Sequence, residues 1–220
     1  MKRFLNSVLC IVYRRFLYAC PKKNVTSVLE VMDITTGQRS VVKEFPFLIE
    51  APNWTPDGNW LVYNSGGKLY KLSPKSPGEP QLINSDYATR CNNDHVISAD
   101  GKQIAISNGT KEDGKSRVYT LPFEGGVPRL ITPLGPSYLH GWSPDGKQLA
   151  YCAERNGNFD VYVIPALGGE EKTSYDSRRF GRWPRILPLR TIYLVQLRTY
   201  RAYASLAHEG RRLRTDPDDL

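Results

Sequence analysis

A repeat of 43 to 45 residues constrains the fold of this chain more than any other feature of the sequence. Three Asp-Gly pairs mark it, at Asp57-Gly58, Asp100-Gly101 and Asp145-Gly146. Each pair closes a turn that reads TPDG, SADG or SPDG, in which Pro presets the second position and the Asp side chain bonds the turn backbone. A repeat of about 40 to 50 residues with strand-like content is typical of a propeller or an array.

Every copy of the repeat has the same order of short strands. The first strand ends at Trp54, Ile97 or Trp142, just before the Asp-Gly turn. A second alternating strand, a Gly/Asn turn, a third strand and a shorter fourth strand follow. Four antiparallel strands per repeat describe a propeller blade. The predicted fold class is therefore all-β.

The first copy is incomplete. Residues 27–45 match only the last two strands of a repeat, as expected for a propeller that the chain enters in the middle of a blade. We expect the missing inner strands to come from the other end of the chain. Residues 24–172 thus predict an incomplete β-propeller of about three and a half four-stranded antiparallel blades. Residues 173–220 form a basic tail outside the propeller.

The net charge of +8 is concentrated in the two ends of the chain. Residues 1–23 carry six basic groups and no acid, and residues 173–220 carry ten Arg and five acids. The repeats between them hold 14 basic and 17 acidic groups. Nucleic-acid binding needs a basic face on the folded domain, so the sequence predicts no nucleic-acid partner.

The N-terminal residues 1–23 resemble an atypical export signal. A short basic region precedes an apolar stretch from Phe4 to Tyr13, which Arg14 and Arg15 then interrupt. The segment Leu17 to Cys20 is similar to a lipoprotein cleavage box, which would add a lipid anchor. An amphipathic leader without a targeting role is the alternative. No stretch approaches the roughly 20 apolar residues of a membrane-spanning helix, so we expect no integral membrane protein.

The tail departs from the repeat in composition and in pattern. It has ten Arg and no Lys, whereas the preceding 172 residues have eight Arg and twelve Lys. Shifting the reading frame by one nucleotide permits codons for a further turn of the form PEYSPxG and for two strands of the next blade. We therefore predict that residues from roughly 173–179 onward are a frameshift product of a truncated gene. The alternative is a genuine basic tail, disordered or helical.

Candidate ligand-binding residues gather where the first strands begin, beside the predicted central channel. Alignment on the Asp-Gly pairs makes Pro52, His95 and His140 equivalent positions. The predicted channel-mouth site comprises Glu50, Asn92, Asn93, Asp94, His95, Tyr138 and His140. Two His with carboxylates suit a divalent metal, and they equally suit a polar ligand such as a saccharide or a peptide. A role in satisfying backbone groups is the third interpretation.

Motifs of the common catalytic types are missing from the sequence. It has no GxSxG nucleophile motif, and its three His include His208 in the tail. The four Cys have no zinc-ligand spacing. No cofactor is expected apart from the divalent metal already mentioned. The Asp and Gly of each repeat turn are interpreted as structural.

Three repeats in phase resemble the TolB family. The Trp-Ser-Pro-Asp-Gly-Lys turn at 142–147, the aromatic second strand and the Val161-Tyr162-Val163 strand are similar to its WD-like propeller repeat. The resemblance implies a periplasmic binding or scaffold module whose partner is a protein or a polysaccharide of the cell envelope. Similar blades form some sugar lyases and the non-catalytic propellers of peptidases, so a lyase or hydrolase that uses the channel His and Asp residues is an alternative. A non-functional gene fragment is another, and the oligomeric state is left open.

Overall fold

The computed structural model describes residues 8–16 and 25–175, and their regular secondary structure is entirely β-strand. Four antiparallel sheets follow one another along the chain, and we call them blades 1 to 4. Blade 1 has β1 (Val8–Phe16), β2 (Val25–Asp33) and β3 (Arg39–Phe45). Blade 2 has β4 (Glu50–Trp54), β5 (Leu61–Ser65), β6 (Lys68–Leu72) and β7 (Gln81–Ile83).

The next two blades are complete. Blade 3 has β8 (Cys91–Ile97), β9 (Gln103–Gly109), β10 (Ser116–Pro122) and β11 (Arg129–Leu130). Blade 4 has β12 (Ser137–Trp142), β13 (Gln148–Arg155), β14 (Asn158–Pro165) and β15 (Lys172–Tyr175). The prediction of an incomplete, all-β propeller is confirmed. The described residues hold no helix with the length and apolar character needed to cross a membrane.

The Asp-Gly turns share one hydrogen-bond network in all three copies. In the last copy the Ser143 hydroxyl donates to Asp145 at 2.6 Å and accepts the backbone N–H of Gln148 at 2.8 Å. Thr55 and Ser98 make the same pair of bonds in the other two turns. The following glycines have φ of +69°, +73° and +70°, where a side chain would be strained. The turn carboxylates are thus satisfied within their own turns.

Apolar side chains fill the space between successive blades. The cluster between blades 1 and 2 contains Leu29, Phe45 and Tyr63, and the next contains Leu69, Ile106 and Leu121. The cluster between blades 3 and 4 is built around Leu139 and Tyr151. Removing this apolar surface from water is the main force that holds one blade on the next.

Blade 1 differs from the prediction because one of its inner strands comes from the N-terminal segment. Strand β1 pairs antiparallel with β2 along its full length, from Val8 opposite Asp33 to Phe16 opposite Val25. This pairing supplies hydrogen-bond partners for the backbone of β2, which would otherwise be an open edge. The remainder of the segment 1–23 lies outside the described residues, and its role as an export signal stays a prediction.

The last blade extends past residue 172, the expected limit of the propeller. Strand β15 pairs with β14 between Lys172 and Tyr175, and so it supplies the fourth strand that the repeat requires. Residues 176–220, which contain most of the predicted frameshift product, lie outside the described residues.

A partly buried ion pair holds Glu171, the residue just before β15, against the rest of blade 4. The Arg155 guanidinium donates two hydrogen bonds to the Glu171 carboxylate, at 2.7 and 2.8 Å, and the Tyr151 hydroxyl donates a third at 2.6 Å. Arg155 also bonds the carbonyl oxygen of Pro136 and the hydroxyl of Ser137. Arg155 and Glu171 are sixteen residues apart. The pair therefore connects the end of β13 to the start of β15.

Candidate functional site at the channel mouth

The innermost strands of blades 2, 3 and 4 are neighbours. The side chain of Asn53 in β4 donates to the carbonyl oxygen of His95 in β8 at 3.0 Å. The indole of Trp142 in β12 donates to the carbonyl oxygen of Val96 in β8, also at 3.0 Å. Each of these strands ends at an Asp-Gly turn and begins at the opposite end, which we call the channel mouth. The predicted site residues therefore do lie on adjacent strands.

All three innermost strands have a β-bulge near the channel mouth. In β8 the four residue steps from Cys91 to His95 face only two steps of β9, from Asn108 to Ile106. In β12 the bulge is smaller, and His140 is the extra residue between Leu139 and Gly141. The β4 bulge lies between Glu50 and Asn53. Bulges commonly redirect side chains next to functional sites.

These unequal bulges place His95 and His140 in different positions, although the sequence alignment made them equivalent. His95 of β8 pairs with Ile106 of β9. The residue of β13 that corresponds to Ile106 is Tyr151, and it pairs with Leu139 and not with His140. His95 and Leu139 are both buried, at 2% and 1% exposure, whereas His140 is half-buried. The structure therefore brings one of the two His to the channel mouth and places the other in the core.

His95 lies between blades 2 and 3. Its Nε2 atom is 3.5 Å from the carbonyl oxygen of Val62, and its Nδ1 atom has no hydrogen-bond partner among the described residues. Burial disfavours the charged imidazolium and lowers the pKa of His95 to about 4. The ring is therefore neutral at pH 7, and the Nε2–H tautomer suits the contact with Val62. This corresponds to the third interpretation from the sequence, the satisfaction of a backbone group.

Asp94 lies in the bulge of β8 and is held by its neighbours. The Asn92 side chain donates to Asp94 Oδ2 at 2.8 Å, and the backbone N–H of Asp94 donates to Asn92 Oδ1 at 2.9 Å. Ser107 in β9 partly opposes the rise in the pKa of Asp94, and its hydroxyl oxygen accepts the backbone N–H of Leu139 at 2.8 Å. Ser107 thus connects the surroundings of Asp94 to the innermost strand of the next blade.

Asp94 and His140 form an electrostatically coupled pair across blades 3 and 4. Burial raises the pKa of Asp94, and the nearby His140 partly opposes that effect. Burial lowers the pKa of His140, and Asp94 partly opposes that effect in turn. Each group is desolvated by the protein and favoured in its charged form by the other.

A groove with several charged and polar lining residues lies between blades 3 and 4, and its Asn92 bonds Asp94. Tyr138, which is 36% exposed, and Asn92 line the groove together with charged residues that the sequence prediction missed, namely Arg90, Asp113, Lys115 and Glu154. Asp113 and Lys115 lie in the loop between β9 and β10. Arg117 donates two hydrogen bonds to Asp113, at 2.9 and 2.8 Å, and so holds this loop in place. The alignment of the first strands did not mark these four residues, because none of them lies in a first strand.

Of the other two predicted site residues, one lies in another blade and one is exposed next to Asp94. Glu50 begins β4 one blade earlier, opposite Asn64. Asn93 is exposed at the centre of the β8 bulge. Among residues 8–16 and 25–175, no group of three or more His, Cys, Asp or Glu side chains is placed to hold a metal ion. Metal binding by His95 and His140 stays a prediction.

Comparison with known proteins agrees with this architecture. The family model described as the TolB beta propeller domain matches residues 17–180. The chain belongs to the TolB β-propeller family. An uncharacterised protein of Agrobacterium fabrum is 48% identical over 151 residues, which is 69% of this chain and 51% of that protein. The chain therefore spans about half the length of this relative.

Two solved TolB structures have the same fold. One, provisionally assigned as TolB of Agrobacterium tumefaciens, has a TM-score of 0.65 and 46% identity, over 69% of this chain and 54% of the other. TolB from Acinetobacter baumannii has a TM-score of 0.62 and 22% identity, over 76% of this chain and 41% of its own. At the coarse level, this TolB-like propeller supports a binding or scaffold module.

Proposed function

We propose that this TolB-like propeller is a binding module of the cell envelope, exported to the periplasm, that holds a protein or polysaccharide partner at its channel mouth. The groove lined by Tyr138, Asn92, Arg90 and Glu154, in which the Asn92 side chain also bonds Asp94, is the observation that carries the proposal. Propellers serve unrelated functions on one scaffold, so the argument depends on this site and not on the fold.

The groove combines the groups that polar recognition requires. Tyr138 offers an aromatic face and a hydroxyl, Asn92 offers an amide, and Arg90 and Glu154 offer opposite charges. An aromatic surface beside convergent hydrogen-bonding groups suits an extended polar chain such as a peptide or a glycan. Asp94, which Asn92 bonds at 2.8 Å, adds a carboxylate next to the groove.

Site-specific photocrosslinking in cells tests the proposal. A photoreactive phenylalanine analogue replaces Tyr138 in one variant and Val127 in another. Val127 is 70% exposed and lies in the β10–β11 turn, away from the groove, so it is the matched control. We expect crosslinked products from position 138 and few from position 127. Equal crosslinking at both positions would contradict the proposal.

A second measurement separates the two classes of partner. Purified peptidoglycan sacculi are sedimented with the protein, and the bound fraction is compared with that of the Asp94→Asn and Tyr138→Ala variants. A polysaccharide partner predicts co-sedimentation that both substitutions reduce. A protein partner predicts crosslinks at position 138 without co-sedimentation. If neither crosslinking nor co-sedimentation occurs in correctly folded protein, the proposed function fails.

A further inference from the structure

Arg117 bonds both of the segments that meet at the groove. Its guanidinium donates to Asp113 Oδ1 and Oδ2, at 2.9 and 2.8 Å, and to the Thr110 hydroxyl at 2.8 Å. These two residues belong to the β9–β10 loop, which supplies one side of the groove. Its Nε–H donates to the carbonyl oxygen of Pro133 at 2.9 Å, in the segment between β11 and β12. One side chain therefore connects the loop to the segment that leads into Tyr138.

The two segments are in close contact beside this arginine. A Cβ atom on Gly135 would lie 2.8 Å from the Cβ atom of Lys115 and 3.1 Å from the carbonyl oxygen of Ser116, so only glycine fits there. Lys115 and Ser116 line the groove from the loop, and Pro136 lines it from the other segment. The spacing of these lining residues is thus set where the two segments touch.

The side of the groove opposite the loop is held by a different arginine. Arg155 donates to the carbonyl oxygen of Pro136 at 3.2 Å and to that of Glu154 at 2.9 Å. Both of these residues line the groove. This side therefore keeps its own support if Arg117 is replaced, and the β9–β10 loop is the part of the groove that depends on Arg117.

The contact between Arg117 and Asp113 has a local effect and not a global one. The two side chains are 17% and 36% exposed, and ion pairs near the surface contribute little to overall stability. The hydrogen bonds from Arg117 also lower the pKa of Asp113, so the carboxylate is charged and the contact persists at neutral pH. Its main consequence is the conformation of the loop.

We propose that Arg117 is a positioning residue for ligand binding in the groove. It is not a lining residue itself, and it acts through Asp113 by holding the loop in the conformation that a ligand contacts. Because the loop is already ordered, little conformational entropy is lost on binding, and affinity is higher. This role rests on the proposed function, since it requires a ligand in the groove.

Hydrogen exchange measured by mass spectrometry tests the first half of this proposal on the full chain, without any ligand. The Thr110 and Lys115 amides are bonded within the loop. We expect Arg117→Gln to raise exchange in residues 109–116 about tenfold and to leave residues 148–155 unchanged. Arg129→Gln is the matched control, because Arg129 is an exposed arginine of the same blade and does not line the groove. Unchanged exchange in residues 109–116 of Arg117→Gln would overturn the proposal.

Photocrosslinking from position 138 then tests the effect on binding. We expect the yield to fall about tenfold in Arg117→Gln and to stay at the wild-type level in Arg129→Gln. Arg117→Lys, which can still bond Asp113 with one donor, should recover part of the yield. Urea unfolding shows whether each variant is folded.

The two proposals fail in distinguishable ways. If folded Arg117→Gln has a loosened loop and crosslinks as well as the wild type, the positioning role is wrong and the proposed function stands. If the wild type itself gives no crosslinks at position 138, the proposed function fails and the positioning role fails with it.

Discussion

Leu139 occupies in blade 4 the ladder position that His95 occupies in blade 3. Each is buried against the preceding blade, and each faces an equivalent residue of its second strand, Tyr151 or Ile106. The bulge at His140 produces this correspondence. Because β12 has one extra residue there, the ladder pairing is offset by one position from the alignment of the two sequences. His95 is therefore a polar residue at a core position, and His140 belongs to the channel mouth.

Replacing His95 with Leu should flatten the dependence of stability on pH. The pKa of His95 is about 4 in the folded protein, well below the unfolded value of 6.5. Its stabilising effect is therefore complete above pH 6.5 and is lost as the pH falls through 4. Below pH 4, the resulting loss in the free energy of unfolding amounts to about 3 kcal/mol.

Urea unfolding of the wild type and of His95→Leu at pH 8 and pH 5 measures this effect. We expect the wild type to lose about 2 kcal/mol more than the variant over this interval. The raised pKa of Asp94 acts in the opposite direction in both proteins and cancels in the comparison. If the free energy of unfolding depends on pH equally in the wild type and the variant, the pKa of His95 is not lowered in the folded protein and its ring is solvated.

Substituting the two equivalent tryptophans should have unequal effects. Trp142→Phe removes the hydrogen bond to Val96, whereas Trp54→Phe removes an N–H that has no acceptor among the described residues. Trp142→Phe should therefore destabilise the chain by about 1 kcal/mol more than Trp54→Phe does. Chemical unfolding of both variants measures the difference. Equal losses of stability would contradict the conclusion that the Trp54 N–H has no hydrogen-bond acceptor among the described residues.

The repeat turns should depend on the hydroxyl group before the Asp. Ser143→Ala removes both the donor to Asp145 and the acceptor for the backbone N–H of Gln148, so we expect a loss of about 1 kcal/mol. Thr55→Ser is the matched control, since serine fills the same position in the other two turns. Thermal unfolding should show a lower midpoint for Ser143→Ala and little change for Thr55→Ser.

The Arg155 guanidinium should be irreplaceable by an ammonium group. Arg155→Lys keeps the charge but cannot make the two-pronged contact with Glu171, and both side chains are mostly buried, at 10% and 25% exposure. We expect a loss of about 2 kcal/mol in urea unfolding. Arg117→Lys, which breaks a similar contact with the more exposed Asp113, should lose clearly less. A reversed order would mean that burial does not strengthen the Arg155 pair.

Local chemistry in the sequence was sufficient to predict the blades. The Asp-Gly turns, the alternating second strands and the period of the repeat depend on residues close together in the chain, so the all-β propeller could be predicted from them. The same holds for the structural role of Asp57, Asp100 and Asp145, whose partners lie within a few residues.

Contacts between residues that no local pattern relates, within and between blades, decided the rest. An alignment without gaps placed His95 and His140 together, and only the bulges in β8 and β12 separate them. Those bulges form where the next blade makes contact, as when the Ser107 hydroxyl accepts the N–H of Leu139. Likewise, the contact of Arg155 with Glu171 and the pairing of β1 with β2 join residues distant in sequence. The sequence alone determined the repeat and its turns, whereas tertiary packing decided which side chains reach the channel mouth, because bulge register depends on the neighbouring blade.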